Sequence, residues 1–273
     1  MPDLELRGVC FAYPGGVEVF GDPALTLRLT TGVTALIGEN GAGKTTLTKL
    51  LNGLLRPQAG TVTVAGTRVA ERSVAQMARL VGYAFQNPDE QLFQRTVRDE
   101  VAFGPRVMGR DRATVDAAVE RALERCGLRP QAAVHPHDLG LPERKWVTIA
   151  SALAADPPVI VLDEPTLGQD QAGRARLGSL VQALAADQRL VLVVTHDMDF
   201  VANACAQTVI LTHGQVRFTG ETADAFVDDV RLQQAGLDPP PSTRLGRALG
   251  ADPPPVGDAA FARWYLARAQ AAR

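Results

Sequence analysis

Apolar residues fall along this chain with two different periods. Leu4-Glu5-Leu6-Arg7 and Leu25-Thr26-Leu27-Arg28-Leu29 alternate, as strands with one face in a core do. Residues 33–37, 159–162 and 190–194 are almost unbroken apolar runs, the pattern of strands covered on both faces. Residues 61–64 and 81–85 read as further strands, and Val209-Ile210-Leu211 and Val216-Arg217-Phe218 flank His213-Gly214 as a hairpin. Between these runs the apolar spacing opens to about 3.6, which predicts helices over 45–55, 112–126, 145–155 and 172–186. A short capped helix is predicted over 73–80, and Thr96 with Asp99 three residues on predicts another helix start. The span of about 90–156 reads as a helical subdomain inserted into the sheet domain. Beyond residue 220 the chain reads as a tail. Pro239-Pro240-Pro241 and Pro253-Pro254-Pro255 predict extended linkers. A helix over 259–273 carries Phe261, Trp264, Tyr265 and Leu266, a cluster that either docks on another molecule or packs on its own domain.

Composition narrows the classes. The chain has 273 residues, 46% hydrophobic and 21% charged, enough for one large or two small domains around a real core. A net charge of −2 gives no electrostatic case for nucleic acid. Cys10, Cys126 and Cys205 are odd in number and far apart, as in a reducing compartment. The acidic start, Met1 to Glu5, does not read as a signal peptide. The longest aliphatic runs are four or five residues, against the roughly 20 a membrane span needs, so a membrane role is expected through a partner.

The chemistry concentrates after the run 33–37. Gly38-Glu39-Asn40-Gly41-Ala42-Gly43-Lys44-Thr45-Thr46 fits G-x-x-x-x-G-K-[ST], between a predicted strand and a predicted helix. Its glycines let backbone N–H groups converge on an anion, and the helix N-terminus adds unpaired donors and partial positive charge. Lys44 is placed to reach terminal phosphates and Thr45 to bind Mg²⁺. Asp163 and Glu164 leave the core run 159–162 as adjacent carboxylates, costly unless used or solvated. Asp163 would hold Mg²⁺, directly or through water, and Glu164 would orient or deprotonate an attacking water. His196 follows the run 190–194, where ligand sites of parallel sheets gather and a γ-phosphate would be in reach. Tyr13, before a Pro-Gly-Gly turn, offers a ring to a nucleobase or is an ordinary strand-end aromatic. Gln86 alone carries no signal. His135 and His137 flank a proline in a predicted loop and suggest no zinc site.

Taken together, these motifs resemble the ATP-binding subunit of ABC transporters over residues 4–220. The resemblance implies an α/β fold of the P-loop NTPase, ABC ATPase type. Its core sheet is mostly parallel, with an N-terminal antiparallel β part and the inserted helical subdomain. Tyr13 falls at the adenine-stacking position, Gly38 to Thr46 is the Walker A motif, and 159–164 the Walker B. Gln86 is the Q-loop glutamine, a further metal-side ligand with Thr45 and Asp163, and His196 is the switch histidine. Phe85 to Phe93, Val97 to Pro105 and Gly236-Leu237-Asp238-Pro239-Pro240 resemble the energy-coupling-factor (ECF) branch, which imports vitamins, cobalt or nickel. The family implies ATP and Mg²⁺ as ligands, and ATP hydrolysis coupled to transport at the cytoplasmic face of the cell membrane. It also implies a second ABC ATPase subunit, a transmembrane coupling subunit and a substrate-binding membrane subunit, with no nucleic acid. A nucleotide-binding regulatory subunit with little hydrolysis and a non-transport ABC ATPase are the alternatives.

Two stretches depart from the family pattern. The signature, L-S-G-G-Q in the family, is Leu139-Gly140-Leu141-Pro142-Glu143 here. Gly140 has no hydroxyl, Pro142 has no N–H, and Glu143 places a negative charge near phosphate. The loop after Walker B reads Leu167-Gly168-Gln169-Asp170 and keeps only the aspartate of the usual S-A-L-D. In the family this resembles, a signature acts on the site of the opposite subunit. The altered one therefore predicts a heterodimer with unequal sites rather than a homodimer.

Overall fold

A computed structural model describes residues 1–271. Its first part is antiparallel: β1 (Leu4–Ala12) pairs with β2 (Glu18–Leu29). Then come β3 (Gly32–Ile37) and α1 (Lys44–Leu51), followed by β4 (Ala59–Val64) and the short β5 (Thr67–Arg68). The four strands of the first sheet lie in the order β2-β1-β4-β5. Next are α2 (Val74–Met77) and β6 (Val81–Ala84), then three helices, α3 (Val97–Val107), α4 (Arg112–Arg125) and α5 (Leu141–Ala154). The chain returns to the sheet through β7 (Val159–Asp163), α6 (Gln171–Ala186), β8 (Leu190–Val194), α7 (Met198–Ala204), β9 (Gln207–Thr212) and β10 (Gln215–Glu221). It ends with α8 (Thr222–Val227), α9 (Asp229–Gln234), α10 (Pro241–Ala248) and α11 (Asp258–Ala271).

The second sheet has the order β10-β9-β3-β8-β7-β6. Its inner pairs are parallel, and only the edge pair β9–β10 is antiparallel. Alternation of side chains along each parallel strand serves two cores at once. Ile160, Leu162, Val191 and Val193 face the layer of α3 to α6. Val159, Val161, Leu190 and Leu192 face α1 and the antiparallel sheet. That two-sided burial is why these strands read as unbroken apolar runs. Among the described residues, no helix is long and apolar enough to cross a membrane.

Local chemistry sets the helix ends, and corrects several predicted ones. Ser73 forms a capping box with Gln76, and Thr96, Asp111, Asp170 and Asp197 cap α3, α4, α6 and α7. α1 stops at Leu51 rather than residue 55, because Gly53 turns left-handed at φ +78°. α5 starts at Leu141, four residues before the predicted start: Pro142 sits in the first turn, where a missing N–H costs nothing. Phe85 lies just outside β6.

The tail differs most from its expectation. Phe226, Leu232 and Leu237 are buried in the same core as the sheet. The proline runs are pinned rather than extended spacers. Pro241 opens α10, and the Pro255 carbonyl accepts the Thr243 hydroxyl at 3.0 Å. α11 starts at Asp258, whose N–H bonds Asn203 in α7. Phe261, Trp264 and Tyr265 group on it, with Tyr265 and Leu266 exposed; the last two residues of the predicted helix lie outside the described residues.

Candidate functional site

Neighbours β3, β8, β7 and β6 are parallel, so their C-terminal ends line up along one edge. Each end carries a singled-out segment: Gly38 to Thr46 after β3, Thr195-His196 after β8, Asp163-Glu164 at β7, and Gln86 shortly after β6. They meet in a cleft of about 310 Å³. Tyr13, Asn40, Gly41, Gly43, Lys44, Thr45, Thr46, Gln86, Asp163, Glu164 and His196 all line it, with Val17 from the β1–β2 connection and Val19 at the start of β2.

Gly38, Glu39 and Ala42 belong to the loop but do not line the cleft. Gly38 sits at φ +151°, and a Cβ there would lie 2.0 Å from the Leu211 carbonyl of β9. Gly43, at φ +103°, is walled by Phe20 and Val19. Gly214 of the β9–β10 turn approaches the Val19 carbonyl equally closely and donates its N–H to Ala42. The Gly38 and Glu39 carbonyls instead accept the Lys44 amino group at 2.7 and 2.9 Å.

The cradle fits an anion. Gly43 is the N-cap of α1, which has no side-chain cap and no acidic residue in its first turn. Among the described residues, the N–H groups of Gly43 to Thr46 find no acceptor in the chain. Bare donors at the positive end of a helix are an anion site. Thr45, Gln86 and Asp163 add hard oxygen donors to the same cleft, the donor chemistry Mg²⁺ takes.

Glu164 is held in a costly conformation. Its φ is +47°, in the left-handed region that a non-glycine residue enters at a cost of about 1–3 kcal/mol. Its N–H extends the β7–β8 ladder to the Val194 carbonyl at 2.8 Å. Its carboxylate accepts from the Thr195 hydroxyl at 3.3 Å and the His196 N–H at 3.4 Å. Burial raises the Glu164 pKa, the main cause, and the nearby Asp163 charge adds to it. Burial also raises that of Asp163, against the Tyr83 hydrogen bond and the nearby lysines. Lys44 is lowered by burial, opposed by the charges of Glu164, Asp163 and Glu39. His196 is lowered by burial and by Lys44, so its Nε2, 3.5 Å from Glu164, makes no ion pair at neutral pH. A carboxylate with raised affinity for protons beside a phosphate cradle is an arrangement suited to proton abstraction from water.

Tyr13 packs edge-on against Phe11, and its hydroxyl bonds Thr46 at 3.1 Å. That bond fixes the ring at the mouth of the cleft.

Leu139 to Glu143 lie apart from this cleft. Pro142 and Glu143 line a second one, of about 370 Å³, with Gly168, Gln169 and Asp170. Gly140 is the N-cap of α5. The Glu143 carboxylate lies over it, at 2.7 Å from where a Gly140 Cβ would stand. Buried Gln169 ties the two altered loops together: it donates to the Pro142 carbonyl at 3.1 Å and accepts from the Trp146 indole at 3.1 Å. Arg176 lies over that indole, 3.7 Å from its centroid.

Sequence reading did not assign two polar groups. Tyr83 donates to Asp163 Oδ2 at 2.8 Å. Lys145, 1% exposed, puts its amino group on the carbonyls of Phe85, Gln86 and Asp163, and burial lowers its pKa to about 8. A lysine directly before the mostly apolar run of α5 was the available signal for the second. A tyrosine in a strand gave none for the first.

Comparison with known proteins agrees with this geometry. The profile of the ABC transporter family matches residues 24–167. A protein of Pyrococcus furiosus, provisionally named an ABC transporter ATP-binding protein, is 39% identical over 250 residues, 92% of this chain and 95% of its own. The energy-coupling factor transporter ATP-binding protein EcfA of Methanoculleus marisnigri is 39% identical over 247 residues, 90% of this chain and 89% of its own. Among solved structures, cbiO1 of Clostridium perfringens, described as part of the ABC transporter complex cbiONQ, superposes with a TM-score of 0.76 at 26% identity, over 91% of this chain and 98% of its own. An ATP-binding cassette dimer bound to ADP and Pi shares the fold, with a TM-score of 0.70 at 22% identity, over 80% of this chain and 98% of that one. The chain belongs to the ABC transporter family, as an ATP-binding subunit with the family's ATPase fold.

Proposed function

We propose that this chain hydrolyses ATP to energise an ECF-type importer of a micronutrient, a vitamin or a transition-metal ion, from the cytoplasmic face of the cell membrane. The observation that carries the reading is the single cleft where bare helix donors, Lys44, Asp163, Glu164, Gln86 and His196 converge. The likeness to EcfA and cbiO1 supports the ECF branch.

The residues divide the work. The N–H groups of the glycine loop and Lys44 hold the β- and γ-phosphates. Thr45, Gln86 and Asp163 would hold Mg²⁺, which neutralises charge on those phosphates when bound. Glu164 orients and deprotonates the attacking water, and His196 lies against the γ-phosphate. Tyr13 places its ring against the adenine.

The membrane partner is assigned to a groove of about 420 Å³ between α2, α3 and β6. Leu54, Val74, Phe93 and Phe103 are exposed in it, with Phe93 60% accessible and edge-on to Phe103. Such an apolar patch is a docking surface. Its proposed occupant is the transmembrane coupling subunit, which in turn holds a substrate-binding membrane subunit. Lys145 and the Arg144–Asp89 ion pair at 2.6 Å tie the Gln86 loop beside this groove to the signature helix.

The signature cleft would serve the site of a second ABC ATPase subunit. With Gly140, Pro142 and Glu143 in the signature itself, we assign a heterodimer. The same residues favour the regulatory alternative, a subunit that binds ATP and barely turns it over. ATPase activity with and without the membrane partners separates the two: stimulation by the partners supports the importer, and absence of turnover in the full assembly supports the regulator. Cross-linking from positions 89–93 should capture the coupling subunit; repeated failure to capture a membrane protein would remove the groove assignment.

A further inference from the structure

Tyr83 stands between two sites that serve different partners. Its ring forms part of the wall of the apolar groove, 4.7 Å from the ring of Phe85. Its hydroxyl, at the far end of the ring, donates to Asp163 Oδ2 at 2.8 Å. The fully buried Thr48 hydroxyl, from α1, lies 2.9 Å from the Tyr83 hydroxyl and 3.0 Å from the Thr45 carbonyl, and its one proton goes to either. Oδ2 is thereby engaged, which leaves Oδ1 of Asp163 for the cleft.

We propose that Tyr83 is a positioning residue for Asp163. Through it, what occupies the groove bears on the orientation of the carboxylate that faces the phosphates. The inference rests on the reading above, in which Asp163 helps hold Mg²⁺ and the coupling subunit fills the groove. The physical reason is that a ligating carboxylate keeps its angle through the hydrogen bond on its other oxygen, and losing such a bond costs about 10–100-fold in metal affinity or activity. The ring and the hydroxyl belong to one rigid group, so an occupant pressing on the ring displaces the hydroxyl as well.

The test uses the full chain, saturated with a non-hydrolysable ATP analogue and titrated with Mn²⁺, with free Mn²⁺ followed by electron paramagnetic resonance. Tyr83→Phe keeps the ring and removes the hydroxyl. Its Mn²⁺ affinity should fall about tenfold, while analogue affinity measured in EDTA stays unchanged. A role in stability alone would lower the melting temperature and leave Mn²⁺ affinity as it was; that result overturns the proposal. Thr48→Val, which removes the neighbouring hydroxyl, should weaken Mn²⁺ in the same direction by less, and it carries the same readout if Tyr83→Phe does not fold. Asp163→Asn separates the two layers. Weakened Mn²⁺ binding in Asp163→Asn with none in Tyr83→Phe sinks the role of Tyr83 alone. Unchanged binding in Asp163→Asn sinks the metal-holding reading beneath it. In the assembled transporter, Tyr83→Phe should co-purify with the coupling subunit yet lose most of the ATPase stimulation that subunit gives. Stimulation equal to the unsubstituted chain would overturn the link to the groove.

Discussion

Two helices of this chain point their N-termini at clefts, and they treat the positive end differently. α1 has Gly43 as its N-cap, with no side-chain cap and no acid in its first turn, so its N–H donors stay bare. α5 has Gly140 as its N-cap, also without a side-chain cap, but the Glu143 carboxylate lies over that end. The dipole is the same in both helices. One end is left open to an anion from outside, and the other already has a negative group of its own chain above it. A phosphate-binding end is therefore recognised by what the chain withholds from it as much as by the glycines around it.

The largest effect should come from the open end. Glu164→Gln should cut ATP turnover in the assembled transporter by about 10²–10⁴-fold, the usual worth of a general base, and leave ATP binding intact. Lys44→Ala should weaken ATP binding itself. Steady-state kinetics with equilibrium nucleotide binding distinguish the two; near-normal turnover in Glu164→Gln would remove that residue from the base role. Next in size is the inequality between sites. With the glutamate-to-glutamine change placed in each subunit of the proposed heterodimer separately, the change in this chain should cost more turnover, because on that proposal its own cleft faces the partner's signature. Equal losses, or a stable and fully active homodimer, would end the asymmetry.

A smaller effect should come from the covered end. Glu143→Gln removes a charge above the α5 N-terminus, worth about 1 kcal/mol, so the partner's site should speed up roughly fivefold. Gly140→Ser alone should help less, since its side chain must first displace the Glu143 carboxylate. Single-turnover rates in heterodimers with the other site disabled give the readout, and no gain from either change would show that Glu143 is silent. The smallest effect is in pH. Burial raises the Glu164 pKa, so this base takes up its proton at a higher pH than an exposed glutamate would. The rate should accordingly fall on acidification earlier than an ordinary carboxylate dictates, and the residual rate of Glu164→Gln should lack that limb. A pH–rate profile whose acid limb lies in the ordinary glutamate range would contradict it.

The open end was legible in the sequence because its parts are local or periodic. Gly38 to Thr46 sit in one continuous stretch, and Asp163, Glu164 and His196 follow apolar runs whose lengths mark buried strands. Parallel pairing of β3, β8, β7 and β6 then brings these strand ends together without further information. The covered end was legible only as a departure from a pattern. Nothing local in Gln169 tells that it joins Pro142 to the Trp146 indole, and nothing in Lys145 tells which carbonyls it meets, because both depend on side chains from distant segments. The tail was misread for a related reason. Proline runs look like spacers until a partner such as Thr243 fixes their carbonyls.

The close approach of Gly38 to the Leu211 carbonyl, and of Gly214 to Val19, has a consequence for the order of folding. The walls of the nucleotide loop come from parts of the chain 173 and 195 positions apart. Contacts of such sequence separation form late, after the entropy of closing the intervening chain has been met. The capacity to hold nucleotide should thus be among the last properties a nascent chain acquires. Ribosome-bound chains halted before β9 should fail to retain an ATP analogue, although every residue of the glycine loop has already been synthesised.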